Sequence, residues 1–236
     1  METKQYWTLD TSDLPQGEWM HEPDKKQWED PETGLPCLAL RGRIVAWCGY
    51  VGIDDTHPFY GLHYEDIPSL DAHGGVTYSG PGWGHGKAEE INDPDFRDRA
   101  LYFGIDSLSL NVDTGSDERK PLWFFGFDCA HAGDYYPLPL SLTNRYRNTG
   151  LFKREDWEVY KNLAFVERSV KELALDLEAH KHDERPEDHS AEREARSKEF
   201  QAMLDERRKS REKSNVVPFK RYGYHRTRTR RKKRRT

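Results

Sequence analysis

The sequence predicts an α+β protein: a small, mostly antiparallel sheet packed on a long amphipathic helix, with a charged helical extension and a disordered basic tail behind it. Three observations predict this. β-Branched, aromatic and glycine residues gather in short runs before Leu151, among them Arg43 to Ile53 (RIVAWCGYVGI) and Leu122 to Phe127 (LWFFGF), which is strand composition. Trp157, Tyr160, Leu163, Val166, Val170, Leu173 and Leu177 recur three and four residues apart, the spacing of one helix stripe. Beyond that stripe Glu, Lys and Arg dominate, and such a segment cannot bury enough apolar surface to build a core.

Taken in order, residues 1–36 read as an irregular N-terminal arm whose Trp7, Trp19 and Trp28, set among Pro, Asp and Glu, dock on the body. The α+β core spans 37–182. Within it, 43–53 reads as a strand, 57–67 as a loop of turn formers, Gly75 to Tyr78 as a short strand, and GPGWGHGK at 80–87 as a Gly-rich loop. Asn92-Asp93-Pro94 is a helix-start signal, with a capping side chain just before proline. A strand at 101–110, a polar turn at 113–120 and a fully buried strand at 122–127 follow. The amphipathic helix then runs from about Arg154 to about His182, ahead of Pro186. The charged extension covers 183–215; its helical stretch, from Ser190 to Lys213, has little beyond Ala195, Phe200, Met203 and Leu204 to bury. Residues 216–236 form the basic tail.

Net charge is −5, an average over unlike parts. From Phe219 onward there are ten Lys or Arg residues and no acid, which leaves 27 basic against 42 acidic residues in the remainder. A basic tail on an acidic body calls for a polyanion or for the body itself. The three cysteines, Cys37, Cys48 and Cys129, form no CxxC pair, and the N-terminus has no basic and apolar signal-peptide pattern. No apolar run approaches the roughly 18 residues of a membrane span. Free thiols, a reducing cytoplasm and no membrane partner are expected.

The strand at 122–127 runs into Asp128-Cys129-Ala130-His131-Ala132-Gly133-Asp134. Asp128, His131 and Asp134 are candidate metal ligands at i, i+3 and i+6, oxygen donors plus an imidazole that suit a divalent ion. Equally, Asp128 caps a turn and His131 bonds a carbonyl. Cys129 is either a nucleophile beside His131 or His73, or a small packed hydrophobe. The second constellation is His73-Gly74-Gly75 with Thr77 and Tyr78, where two glycines permit close backbone approach and N–H groups that face an anion; its plain alternative is a tight turn entering a strand. An esterase reading of HGG fails because no G-x-S-x-G elbow exists, and GPGWGHGK lacks the residues of a phosphate-binding P-loop. His57 and Tyr60 sit on a loop able to line the same pocket or to be held by ring packing. In the tail, Arg226, Arg228, Arg230, Arg231, Lys232, Lys233, Arg234 and Arg235, interleaved upstream with Tyr222, Tyr224 and His225, suit phosphates and bases.

Five segments together resemble a family of uncharacterised proteins of bacteriophages and prophages: DPETGLPCLALRG at 30–42, CGYVGI at 48–53, HPFYG at 57–61, HGGVTYSG at 73–80 and WFFGFDCAHAGD at 123–134. The resemblance implies a phage or bacterial setting, the cytoplasm of a bacterial host cell, and site candidates, with no activity attached; the charged extension and tail lie outside it. Three functional readings follow. The first is a small polar ligand, a nucleotide among the candidates, held by His57, His73, Tyr78, Asp128 and His131. The second is a hydrolase or transferase with His131 as base, Asp128 or Asp134 orienting it or binding metal, and the HGG turn facing developing charge; no cofactor is otherwise specified. The third is a nucleic-acid-associated adaptor acting through the tail.

Overall fold

Residues 1–7, 9–41, 45–85, 110–113, 120–145 and 154–214 are described by a computed structural model. Their elements are β1 (Lys4–Tyr6), β2 (Lys25–Glu29), β3 (Pro36–Arg41), β4 (Trp47–Ile53), β5 (Tyr78–His85), β6 (Asn111–Asp113), β7 (Lys120–Asp128), β8 (Asp134–Tyr135), α1 (Leu140–Arg145), β9 (Val159–Tyr160), α2 (Leu163–Ala179) and α3 (Ser190–Ser214). The architecture is α+β. Seven strands form one sheet in the order β1-β2-β3-β4-β7-β5-β6, antiparallel throughout except for β5 beside β6; β8 and β9 pair in parallel apart from it. Met1–Asp188 forms one compact unit and His189–Thr236 a second. Among the described residues no helix is long and apolar enough to cross a membrane.

Strand alternation divides the first unit's interior in two. Cys37, Ala39, Trp47, Val51, Ile53, Phe125 and Phe127 face α2, which brings Val166, Val170, Leu173, Ala174 and Leu177 against them. The intervening Leu38, Leu40, Tyr50, Leu122 and Phe124 pack with Leu110 and Val112 on the other face. There the sheet curls until its ends meet. The Gln27 amide donates to the Asp113 carbonyl and accepts from the Asp113 N–H, both at 3.0 Å, and Lys4 pairs with the Asp113 carboxylate. A wholly buried glutamine thus replaces the missing strand partner, as a buried backbone requires.

Residues 1–36 are therefore no irregular arm: β1 and β2 extend the sheet. Lys26 and Trp28 face α2, Lys26 pairing with Glu167, while Gln27 turns inward. Such a strand carries no apolar alternation because its buried polar groups have dedicated partners. The segment is tied down by Arg41, whose side chain is 1% exposed; it donates to the Asp24 carboxylate at 2.9 Å and to the Trp19 and Glu22 carbonyls at 2.6 Å.

The Gly-rich run at 80–85 is also strand, not loop. A Cβ on Gly82 would stand 2.4 Å from both the Leu110 carbonyl oxygen and the Phe124 ring, so glycine admits close neighbours rather than flexibility. The amphipathic helix starts at Leu163, later than its apolar period predicts. Asn162 caps it, accepting from the Phe165 N–H at 3.1 Å, while Trp157 lies in a turn and Tyr160 in β9. The helix start at 92 and nearly all of the strand at 101–110 fall outside the described residues. In the second unit α3 occupies the predicted helical stretch, with Phe200, Met203 and Leu204 exposed.

Candidate functional site

Two β-turns hang from the C-terminal end of β7. In the first, the Gly75 N–H donates to the Ala72 carbonyl at 2.9 Å, with Gly74 at φ +71°. In the second, the Asp134 N–H donates to the His131 carbonyl at 2.9 Å, with Gly133 at φ +98°. A positive φ at the third turn position is what glycine adopts without steric cost. Thr77, whose N–H donates to the Gly126 carbonyl at 2.9 Å, moors the first turn to the strand from which the second departs.

The turns bring two imidazoles onto one carboxylate. His73 Nε2 lies 2.8 Å from Asp134 Oδ2, and the His131 backbone N–H donates to the same oxygen at 3.0 Å. His131 Nδ1 stands 3.5 Å from it, and one donor atom from each of His73, His131 and Asp134 fits within a 4.8 Å span. Asp134 is 2% exposed at its side chain, with Lys161 Nζ 3.7 Å from Oδ1. Phe165 meets the His73 ring edge-on at 5.0 Å, and the two imidazoles stand edge-on at 5.4 Å. Lys161, the His131 backbone amide and the edge of Phe165 thus hold Asp134 and His73 from outside the cluster.

His131 Nδ1 is buried and has no hydrogen-bond partner. Asp128, which shares the i, i+3 spacing, does not supply one. Its Oδ1 is 4.0 Å away and accepts from the Ala130 N–H at 2.9 Å, and its Oδ2 accepts from the Thr77 hydroxyl at 3.2 Å. The three side chains brought together closely enough that they could hold a metal ion are His73, His131 and Asp134, with Asp128 held beside them. The His131 ring lies over Gly74, and the Gly75 N–H is taken by the Ala72 carbonyl.

The remaining sequence candidates lie elsewhere. His57 is buried, Nε2 lying 3.0 Å from the Leu177 carbonyl and Nδ1 accepting from the Phe59 N–H; burial lowers its pKa. Leu177 and Phe165 are twelve positions apart on α2, about 18 Å at the helical rise, so His57 and His73 share no pocket. His57 instead borders a cavity of about 550 Å³ with Asp54, Lys120, Glu178 and His182, whose charges pair as Asp54–Lys120 and Glu178–Lys181. Tyr60 packs on Trp123. Tyr78 packs edge-on against Tyr50 on the sheet face opposite α2. Cys129 is a free, buried thiol, and burial above all, reinforced by Asp134, pushes its pKa up, the surroundings of a packed thiol. The tail residues from Arg226 to Arg235 fall outside the described residues. Lys161, Phe165 and Trp157 were hidden within the helical period.

No family model matches this chain, and neither the curated proteins nor the solved structures contain a match to it.

Proposed function

We propose that the protein holds a divalent transition-metal ion between His73, His131 and Asp134 and uses the ion's remaining positions to bind and activate a small polar ligand, in the manner of metal-assisted hydrolases and transferases. The buried, partnerless Nδ1 of His131 carries this reading. A turn lock made only for structure satisfies its buried polar atoms, whereas a buried ring nitrogen 3.5 Å from a carboxylate and without a hydrogen bond is what a shared ion would complete. Donors about 2.1 Å from one ion stand roughly 3 to 3.4 Å apart at neighbouring positions, close to the two separations measured to Asp134.

Two imidazoles and one carboxylate leave positions free for water and ligand, as in catalytic zinc and non-haem iron sites. The ion would supply Lewis acidity and lower the pKa of a bound water. Asp134 offsets its charge, Phe165 and Gly74 hold the imidazoles, and Asp128 stands beside His131 to accept a proton.

The test is titration of chelator-treated full-length protein with zinc and, as a spectroscopic reporter, cobalt(II). The expected result is one ion per chain, a cobalt spectrum with nitrogen ligands, and loss of both in His131→Ala and Asp134→Asn. Wild-type protein that takes up neither ion refutes the proposal.

A further inference from the structure

Resting on that metal-centre reading, we infer that the ligand of this site is a nucleotide, with its phosphate towards the ion and its base stacked on Trp157. Trp157 is 62% exposed, yet its surroundings are well tied. The Glu158 N–H donates to the Glu155 carbonyl at 3.1 Å and the Val159 N–H to the Gly133 carbonyl at 2.9 Å, while the Glu155 N–H donates to Glu158 Oε2 at 3.0 Å. The ring borders the site itself. A Cβ on Gly133, the residue just before Asp134, would sit 3.5 Å from Trp157 Cζ3. A solvent-facing indole on a hydrogen-bonded turn beside a polar cluster is a stacking platform for a flat ring, tolerant of which base it meets.

Charge selects the rest of the ligand. Lys161 reaches Asp134, and the Arg154 guanidinium lies 4.1 Å from the ring centre of Tyr135, the residue after Asp134. Lys161 and Arg154 oppose Asp134, Asp128 and the Glu155, Asp156 and Glu158 that flank the ring, so the attraction for an anion comes from the bound divalent ion itself, whose open positions take a phosphoryl oxygen. A sugar phosphate satisfies the charge without the ring, and a neutral heterocycle the ring without the charge. A nucleotide satisfies both.

The experiment is calorimetric titration of zinc-loaded full-length protein with AMP, UMP, ribose 5-phosphate and inorganic phosphate, repeated on chelator-treated protein. AMP and UMP are expected to bind more tightly than the two ring-free anions. Trp157→Ala should weaken nucleotide binding about five- to one-hundred-fold while leaving phosphate affinity and zinc content unchanged, and Trp157→Phe should restore most of it. Preference for a 5′-phosphorylated trinucleotide over AMP would place the nucleotide at a strand end; the reverse would make it a free metabolite. Equal affinity for AMP and phosphate, or a Trp157→Ala protein that binds AMP as wild type does, overturns the inference while the metal centre stands. Trp157-dependent AMP binding that is unchanged by chelation keeps the stacking platform and removes the metal.

Discussion

The His131 ring lies over the backbone of Gly74, so closely that a Cβ there would stand 2.5 Å from the ring's Cε1 and 2.8 Å from Nδ1. Gly74→Ala therefore meets two obstacles, the left-handed φ and the imidazole. It should cost about 1–3 kcal/mol of stability and displace the proposed ligand nitrogen, lowering zinc affinity. Gly75→Ala, with φ +85° but nothing within 4 Å of an added Cβ, should cost only the backbone part and leave zinc binding intact. Thermal denaturation and zinc titration of the pair check this; equal zinc loss in both would show that the contact is irrelevant to the ion.

Asp128 and Asp134 are equidistant in sequence from His131, and only one belongs to the cluster. Asp134→Asn should reduce zinc affinity at least tenfold, the lower end of what even supporting groups contribute at such sites. Asp128→Asn, whose carboxylate answers Thr77 and the Ala130 amide, should leave zinc affinity within a few-fold and act on turnover instead. Zinc affinities of the two variants check the assignment, and a reversed order would move the ligand role to Asp128.

Arg41 anchors the N-terminal strands through one carboxylate and two carbonyls. Arg41→Met takes the guanidinium from Asp24, itself 4% exposed and still accepting from the Leu9 N–H, and breaking such a buried ion pair costs about 3–5 kcal/mol. Adding Asp24→Asn should recover part of that loss, because the stranded charge is then removed. Urea denaturation of wild type, single and double variants measures both; a single variant as stable as wild type would show that β1 and β2 are held by the sheet alone.

What the sequence discloses depends on where each residue finds its partner. Val166, Val170, Leu173 and Leu177 share one neighbour, the sheet, so their spacing alone reveals the helix. Trp157 and Tyr160 continue that spacing by coincidence, and the cap at Asn162 is the signal that ends it. KKQWE conceals a strand because Gln27 answers Asp113, 86 residues away, and no local pattern records that. The glycines of HGG and HAGD mark both turns legibly. That the second turn points Asp134 inward and leaves Asp128 with Thr77 follows from the meeting of the two turns, which no sequence spacing encodes. His57 looked like His73 for the same reason, its partner being a carbonyl at Leu177.

Lys25 gives a prediction whose sign depends on pH. It opens β2 opposite Tyr6 of β1, with Nζ 5.3 Å from the Tyr6 ring centre. Burial lowers its pKa from 10.5 to about 8, against an upward pull from Asp113. Below pH 8 the folded and unfolded chains both carry the proton, and the folded one bears the desolvation of the charge, partly offset by Asp113. Between about 8 and 10.5 the folded chain releases the proton while the unfolded chain keeps it, so this group's contribution to stability rises with pH. Lys25→Met should accordingly stabilise the protein at pH 7 by roughly 2 kcal/mol, with a gain that shrinks towards pH 10. Tyrosine and cysteine titrations in the same window are common to both proteins and cancel in the difference. Denaturant unfolding of the two at pH 7 and pH 9.5 measures it, and a gain that grows with pH would mean that the ammonium is better stabilised in the folded chain than in water.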